Sequence, residues 1–350
     1  MSGLMKHAWF GGLLGDAEIA DMLSPASDLA RYRAVEVAWV MAQADSGVAD
    51  PELCGRVARH IETCDISGDL LRSGVEADGL PIPAFAKALK ANAPAQSQDV
   101  LHTGLTSQDV MDTSLVLALT PLLEIYRRRL SDLAKSLASL QDRNAGHHLM
   151  GYTRMQAALP ITADARIATW SQPLQGYSDD LDRLARKLAV LQWGGPVGQR
   201  STHNAEELGK AFAARLGLRD PGFAWHTTRA DIAELASFLA RLTGSLGKMG
   251  QDIALMAQRG SSDLTLVSGG TSSAMPHKQN PVLAELLVTV AHYAAQQATL
   301  LNMAMVHEQE RSGTAWMLEV MTLPDLLQLC GGALRTSQTL VGQIITIGTK

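Results

Sequence analysis

The sequence predicts an all-α protein built on long helices. Three apolar stripes run at steps of three and four residues, from Leu115 to Leu140, from Trp170 to Leu191 and from Ile232 to Met256. A fourth stretch, Val282 to Val306, is apolar almost throughout. No segment alternates apolar and polar residues convincingly, and no internal repeat is visible.

The first hundred residues carry only shorter helical pieces, 28–46 and 51–64. Gly47, Gly68, Gly79, Pro81, Pro83 and Pro94 break the pattern there. A small helical domain over 1–100, followed by a long-helix bundle over 101–350, is therefore expected. In the first stripe Leu115, Leu119, Leu122, Tyr126, Leu130, Leu133, Leu137 and Leu140 share one face. That spacing suits near-parallel helix packing. At about 1.5 Å per residue each striped helix would be roughly 35–40 Å long. Pro121 and Pro173 fall inside two of them, so a kink or a late start is expected there. The fourth stretch holds Glu285, His292, Gln296, Gln297 and Asn302, which a bilayer would penalise. A helix covered by protein on all sides is expected instead.

Composition narrows the functional classes. Of 350 residues 46% are hydrophobic, enough for a sizeable core, and 19% are charged, below the ~25% usual for soluble domains. Surface covered by further copies of the chain would account for the shortfall, so a homo-oligomer is expected. Net charge is −5 with no long run of Lys or Arg, which argues against a nucleic-acid partner. Cys54, Cys64 and Cys330 form no CxxC pair and no zinc spacing. A reduced, cytoplasmic compartment with no metal or cofactor follows as the expectation. The opening residues carry one lysine and a broken apolar stretch, so no secretory leader is expected.

Polar residues gather in three loops ahead of helices, where free N–H groups and the helix dipole favour anions. The first is His102 to Asp109, in which Thr106 and Asp109 have capping-box spacing. Taken alone, its residues would be structural. The second is Gly151 to Pro160, where Arg154 and Gln156 stand in apolar surroundings. Arg154 is either an exposed helix-end residue or a buried cation with an anionic partner. The third runs from Ser268 through Gly269, Gly270 and Thr271 to Pro281. There Asn280 is the expected N-cap, Pro281 the first helical residue, and Lys278 a cation beside that terminus.

Ser272-Ser273-Ala274-Met275-Pro276-His277-Lys278-Gln279-Asn280-Pro281 resembles the SSxMPxKxNP signature of the fumarase/aspartase superfamily. His102–Thr113 and Gly151–Thr162 resemble the first and second motif regions of that family, in its order. Trp193–Gly198, Ala224–Arg229, His307–Ser312 and Ala315-Trp316 are similar to its muconate-cycloisomerase branch, as is Phe10–Ala49. The resemblance implies an all-α tetramer whose long helices pool into one core, each active site drawing one motif region from each of three subunits. It implies Ser272 as the catalytic serine, with Lys278 and Asn280 holding a substrate carboxylate. His102, Thr106 and Ser107 would be first-region binding residues. Glu285 would be the acidic partner of the second-region catalytic residue, and Gln156, Ser273 and Met275 would line the substrate. Two positions depart from the pattern. The family's T-H-x-Q is Thr153-Arg154-Met155-Gln156 here, and Thr271 stands where a glycine precedes the serine pair. The family's C-terminal third domain is expected to be absent.

Arginine cannot serve as a general acid near neutral pH, because its pKa exceeds ~12. Expelling an amine or hydroxide calls for such an acid, whereas opening a lactone expels a carboxylate that leaves as a stable anion. This favours cycloisomerisation, with Arg154 held by Glu285 supplying charge, and the resemblance implies interconversion of 3-carboxy-cis,cis-muconate, a tricarboxylate, and 4-carboxymuconolactone. Rival expectations are a cycloisomerase for a sulfonated analogue, an adenylosuccinate-type C–N lyase, and a former lyase fold kept for binding or structure. Arg229, His226, His307, Glu308 and Arg311 could serve the site or be structural pairings.

Overall fold

The computed structural model describes residues 5, 7–200, 202, 204–258, 263–267, 269–275 and 277–350. Ser268 and Pro276 of the signature loop lie outside the described residues. The all-α expectation holds, and five long helices carry the architecture: α7 (Ser107–Arg143), α8 (Ala163–Leu188), α10 (Ala230–Met256), α11 (Val282–Met303) and α12 (Thr314–Gly342). The stripes point into one shared core, where Leu122, Tyr126, Leu184, Leu239, Leu287 and Leu326 are all buried. Both α7 and α8 begin well before their internal prolines, at Ser107 and Ala163, so neither Pro121 nor Pro173 delays a helix start. Among the described residues no helix is long and apolar enough to cross a membrane.

Shorter helices precede this bundle: α1 (Gly11–Leu14), α2 (Ala17–Met22), α3 (Pro25–Asp45), α4 (Pro51–Thr63), α5 (Gly68–Asp78) and α6 (Ile82–Ala91). Ser24, Asp50 and Ser67 cap α3, α4 and α5 by accepting an N–H from the first turn. A second core joins α3, α4 and α6 to Leu191, Trp193 and α9 (Ala205–Arg215). Ile19 of α2 packs into the first core. We propose the cut near residue 100 as a domain boundary, with residues 191–215 returning to the N-terminal unit.

Three expectations need correction. Residues 148–162 form a hairpin of β1 (His148–Thr153) and β2 (Gln156–Thr162), where no strand was expected. Its two-residue turn, Arg154-Met155, has positive φ at both positions, 48° and 65°. That geometry usually advertises itself as Asn-Gly, and Arg-Met gives no such signal. Next, α11 is covered on one face only. Ala284, Leu287, Val290, Ala294, Ala298 and Leu301 are buried, whereas Val282, Tyr293 and Met303 face outward in the single chain. Finally, α12 passed unnoticed in the sequence because Leu323, Leu326, Leu327, Leu329, Cys330, Ala333 and Leu334 are buried right around its middle. A helix without a solvent face shows no stripe.

Candidate active site

The signature loop is closed at its base by two short strands. β3 (Gly270–Thr271) pairs antiparallel with β4 (Gln279–Asn280), Gly270 opposite Asn280. Gly270 is a glycine because a Cβ there would meet Val282 Cγ2 at 2.5 Å. The Asn280 backbone is committed to this pairing, so the expected Asn280 cap is not formed. Pro281 takes the N-cap position of α11, and its carbonyl accepts the N–H groups of Ala284 and Glu285 at 3.0 Å. Ser272 opens the loop, half-buried, and its Oγ accepts N–H bonds from Met275 at 3.1 Å and Ala274 at 3.4 Å. Two backbone donors aimed at one hydroxyl oxygen favour its deprotonated form.

A cavity of about 860 Å³ opens beside the loop, lined by Met275, Lys278, Asn280 and Glu285, with Leu255 and Gln258 from the end of α10. The geometry thus brings four of the expected residues around one space. Ser273 stays exposed in the loop.

Arg154 sits at the hairpin tip and lines a second cavity of about 610 Å³, which shares Leu255 and Gln258 with the first. Within one chain Arg154 makes no ion pair with Glu285, each facing a different cavity, so the expected pairing is not an intrachain contact. Gln156 is exposed on β2 and donates from Nε2 to the Met155 carbonyl at 3.3 Å.

The first motif region lines neither cavity. Thr106 caps α7 through the capping box, its N–H donating to Asp109 Oδ2 at 2.9 Å, and Ser107 is the first helical residue. The fully buried Asp109 carboxylate also accepts the N–H groups of Gly194 and Gly195 at 2.9 Å and Nε2–H of His226 at 2.8 Å. Gly194 permits this close approach, since a Cβ there would meet Ala224 Cβ at 2.3 Å. His102 has φ 55°, and its Nδ1 lies 2.5 Å from Oε1 of Glu36 on α3. Glu36, wholly buried, holds the imidazole so that Nε2 is left for another partner. No local pattern announces this carboxylate 66 residues upstream of the histidine.

The residues whose role was open now divide. Arg229 is buried between Asp112 and Glu319, and His226 pairs through Nε2 with Asp109, while its buried Nδ1 has no hydrogen-bond partner among the described residues. His307 has a buried side chain with Nε2 3.5 Å from Glu319. Arg311 is exposed and donates to the Pro196 carbonyl at 3.1 Å, and Glu308 is exposed. Among the described residues, no group of three or more His, Cys, Asp and Glu side chains is placed to hold a metal ion.

A long-helix bundle that carries this serine loop ahead of α11 is the arrangement expected of a lyase of the fumarase/aspartase superfamily. The chain belongs to that family, whose model, described as Lyase, matches residues 84–295. It is 31% identical to 3-carboxy-cis,cis-muconate cycloisomerase of Acinetobacter baylyi, covering 95% of this chain and 76% of that protein. It is 34% identical to the enzyme of the same name from Bradyrhizobium diazoefficiens, covering 92% of this chain and 73% of that protein. The crystal structure of 3-carboxy-cis,cis-muconate lactonizing enzyme from Pseudomonas putida superposes with a TM-score of 0.88 at 30% identity. That match covers 97% of this chain and 77% of the other.

Proposed function

We propose that the protein is a cycloisomerase that interconverts 3-carboxy-cis,cis-muconate and 4-carboxymuconolactone. The observation that carries this reading is Arg154: a permanent cation stands at the second motif, lining the cavity beneath the hairpin, where the family places a histidine. A permanent cation stabilises a carboxylate that closes or leaves a ring, but it cannot protonate an amine or hydroxide. The relatives of cycloisomerase name support the same choice.

In the forward direction one carboxylate oxygen bonds to the alkene carbon, and the C=C electron pair moves toward the carboxylate at its far end. That gives an aci-carboxylate, whose α-carbon takes a proton from Ser272 Oγ–H. Ser272 then regains a proton from solvent, so the isomerisation is redox-neutral and atom-balanced. In reverse, Ser272 removes the proton, its alkoxide held by the Ala274 and Met275 N–H groups. Lys278 and Asn280 bind the carboxylate that becomes the aci form, and Arg154 faces the ring-closing carboxylate.

His102, Thr106 and Ser107 line neither of these cavities within one chain, which supports assembly of each site from several copies of the chain. Exposed Tyr293, Met303 and Met321 on α11 and α12 give such an assembly an apolar face to bury. The assignment is a cytoplasmic homotetramer, for which light scattering should give four chains per particle. Arg154→Gln should lower kcat about a hundredfold or more, the usual effect of removing one electrostatic donor, while Arg154→Lys keeps part of the rate. A glutamine variant with a kcat within threefold of the parent would remove arginine from the mechanism.

A further inference from the structure

We propose that Arg166 forms, with Arg154, a second anion subsite that takes the carboxylate which the reaction leaves unchanged. The inference rests on the tricarboxylate reading of the substrate. Arg166 lies on α8, four residues into the helix, and is half-buried in the wall of the 610 Å³ cavity beneath the hairpin. Arg154, Arg166 and Lys248 face that space together with Asp252 and Asp263.

The charges are not all engaged alike. Lys248 pairs with Asp252 and donates to Thr169 Oγ1 at 2.6 Å, and Asp252 also accepts Trp170 Nε1–H at 2.7 Å. Asp263 is engaged as well. Among the described residues, neither the Arg154 nor the Arg166 guanidinium has an ion pair or a side-chain hydrogen bond. Two guanidiniums without a carboxylate partner on one cavity wall leave donors that a bound anion would use. Arg166 is also in the first turns of a helix, where the dipole disfavours a cation. Arg154 is held at its tip by a turn with two left-handed non-glycine residues, a conformation that costs free energy. A bound carboxylate would pair both cations. A guanidinium fork suits a carboxylate in particular.

Substrate geometry points the same way. In 4-carboxymuconolactone the third carboxylate sits on the ring carbon that bears the lactone oxygen. Its cation must therefore neighbour the one serving the ring-closing carboxylate, as Arg166 neighbours Arg154 in this wall.

Isothermal titration of the full chain with propane-1,2,3-tricarboxylate and with glutarate, which lacks the middle carboxylate, tests this without turnover. The parent protein should prefer the tricarboxylate by about tenfold or more, as expected for one charge-assisted contact. Arg166→Gln should erase that preference and leave glutarate affinity unchanged, which also reports an intact fold. Arg166→Lys should keep part of it. An undiminished preference in Arg166→Gln, or no preference in the parent protein, overturns the subsite. If the preference depends on Arg166 but no lactone is formed, the subsite stands and the cycloisomerase reading falls. If lactone forms and Arg166→Gln changes neither KM nor the preference, the reverse holds.

Discussion

Ser272→Ala should lower kcat by about two to four orders of magnitude, the range for losing a positioned proton donor, with the fold unchanged. Among the described residues, the Ser272 Oγ is engaged by the loop N–H groups of Ala274 and Met275. Those donors lie in an exposed loop and can turn to water after the substitution. Circular dichroism and the thermal midpoint should therefore match the parent protein while turnover collapses. A variant keeping a tenth or more of the parent rate would take the proton transfer away from Ser272. The cause must then be sought in another hydroxyl.

Arg229→Met should destabilise the fold by about 3–5 kcal/mol, the cost of leaving buried charges without their partner. Arg229 is 2% exposed and binds Asp112 through Nη1 at 2.7 Å and Nη2 at 3.1 Å. It binds Glu319 through Nε at 2.9 Å and Nη2 at 2.5 Å, and it stacks 4.9 Å from the Trp225 ring. This one side chain ties α7, the start of α10 and α12 together. Burial alone would lower the Arg229 pKa, but Asp112 and Glu319 outweigh it and raise it. Burial likewise opposes ionisation of Glu319, yet His307 and Arg229 hold its pKa below the usual range. A lowered folded pKa gives stability that is present above the unfolded value near ~4.3 and is lost as the pH falls through the folded one. Urea unfolding at neutral pH should show the deficit in Arg229→Met, and adding Asp112→Asn should recover part of it. A loss under 1 kcal/mol would mean that Arg229 is no structural brace.

Helices α7, α8 and α10 were legible because each has one buried face, so apolar residues recur at the helical period, and α11 was legible as a long apolar run. The opposite case is α12, buried right around its middle and so without a period. The Arg154 hairpin hid for another reason: its turn residues are neither Asn nor Gly, and its strands mix polar and apolar residues. At the site, contiguous motifs were readable, since Ser272, Lys278 and Asn280 lie within one short loop. Partners far apart in the chain were not. Glu36 beneath His102 and the Asp112–Arg229–Glu319 cluster are made by packing of separate helices, which no local spacing encodes. The Thr106–Asp109 box was visible, but the bonds from Asp109 to Gly194, Gly195 and His226 depend on tertiary approach.

The central claim is that the chain closes a carboxymuconate into its lactone without a redox partner. Ring closure destroys a conjugated diene, so ultraviolet absorbance of 3-carboxy-cis,cis-muconate follows it directly. Mixed with the purified protein, with and without EDTA, the substrate should lose that absorbance at a rate proportional to protein concentration and unaffected by the chelator. Unchanged absorbance over many hours at high protein concentration would contradict the account.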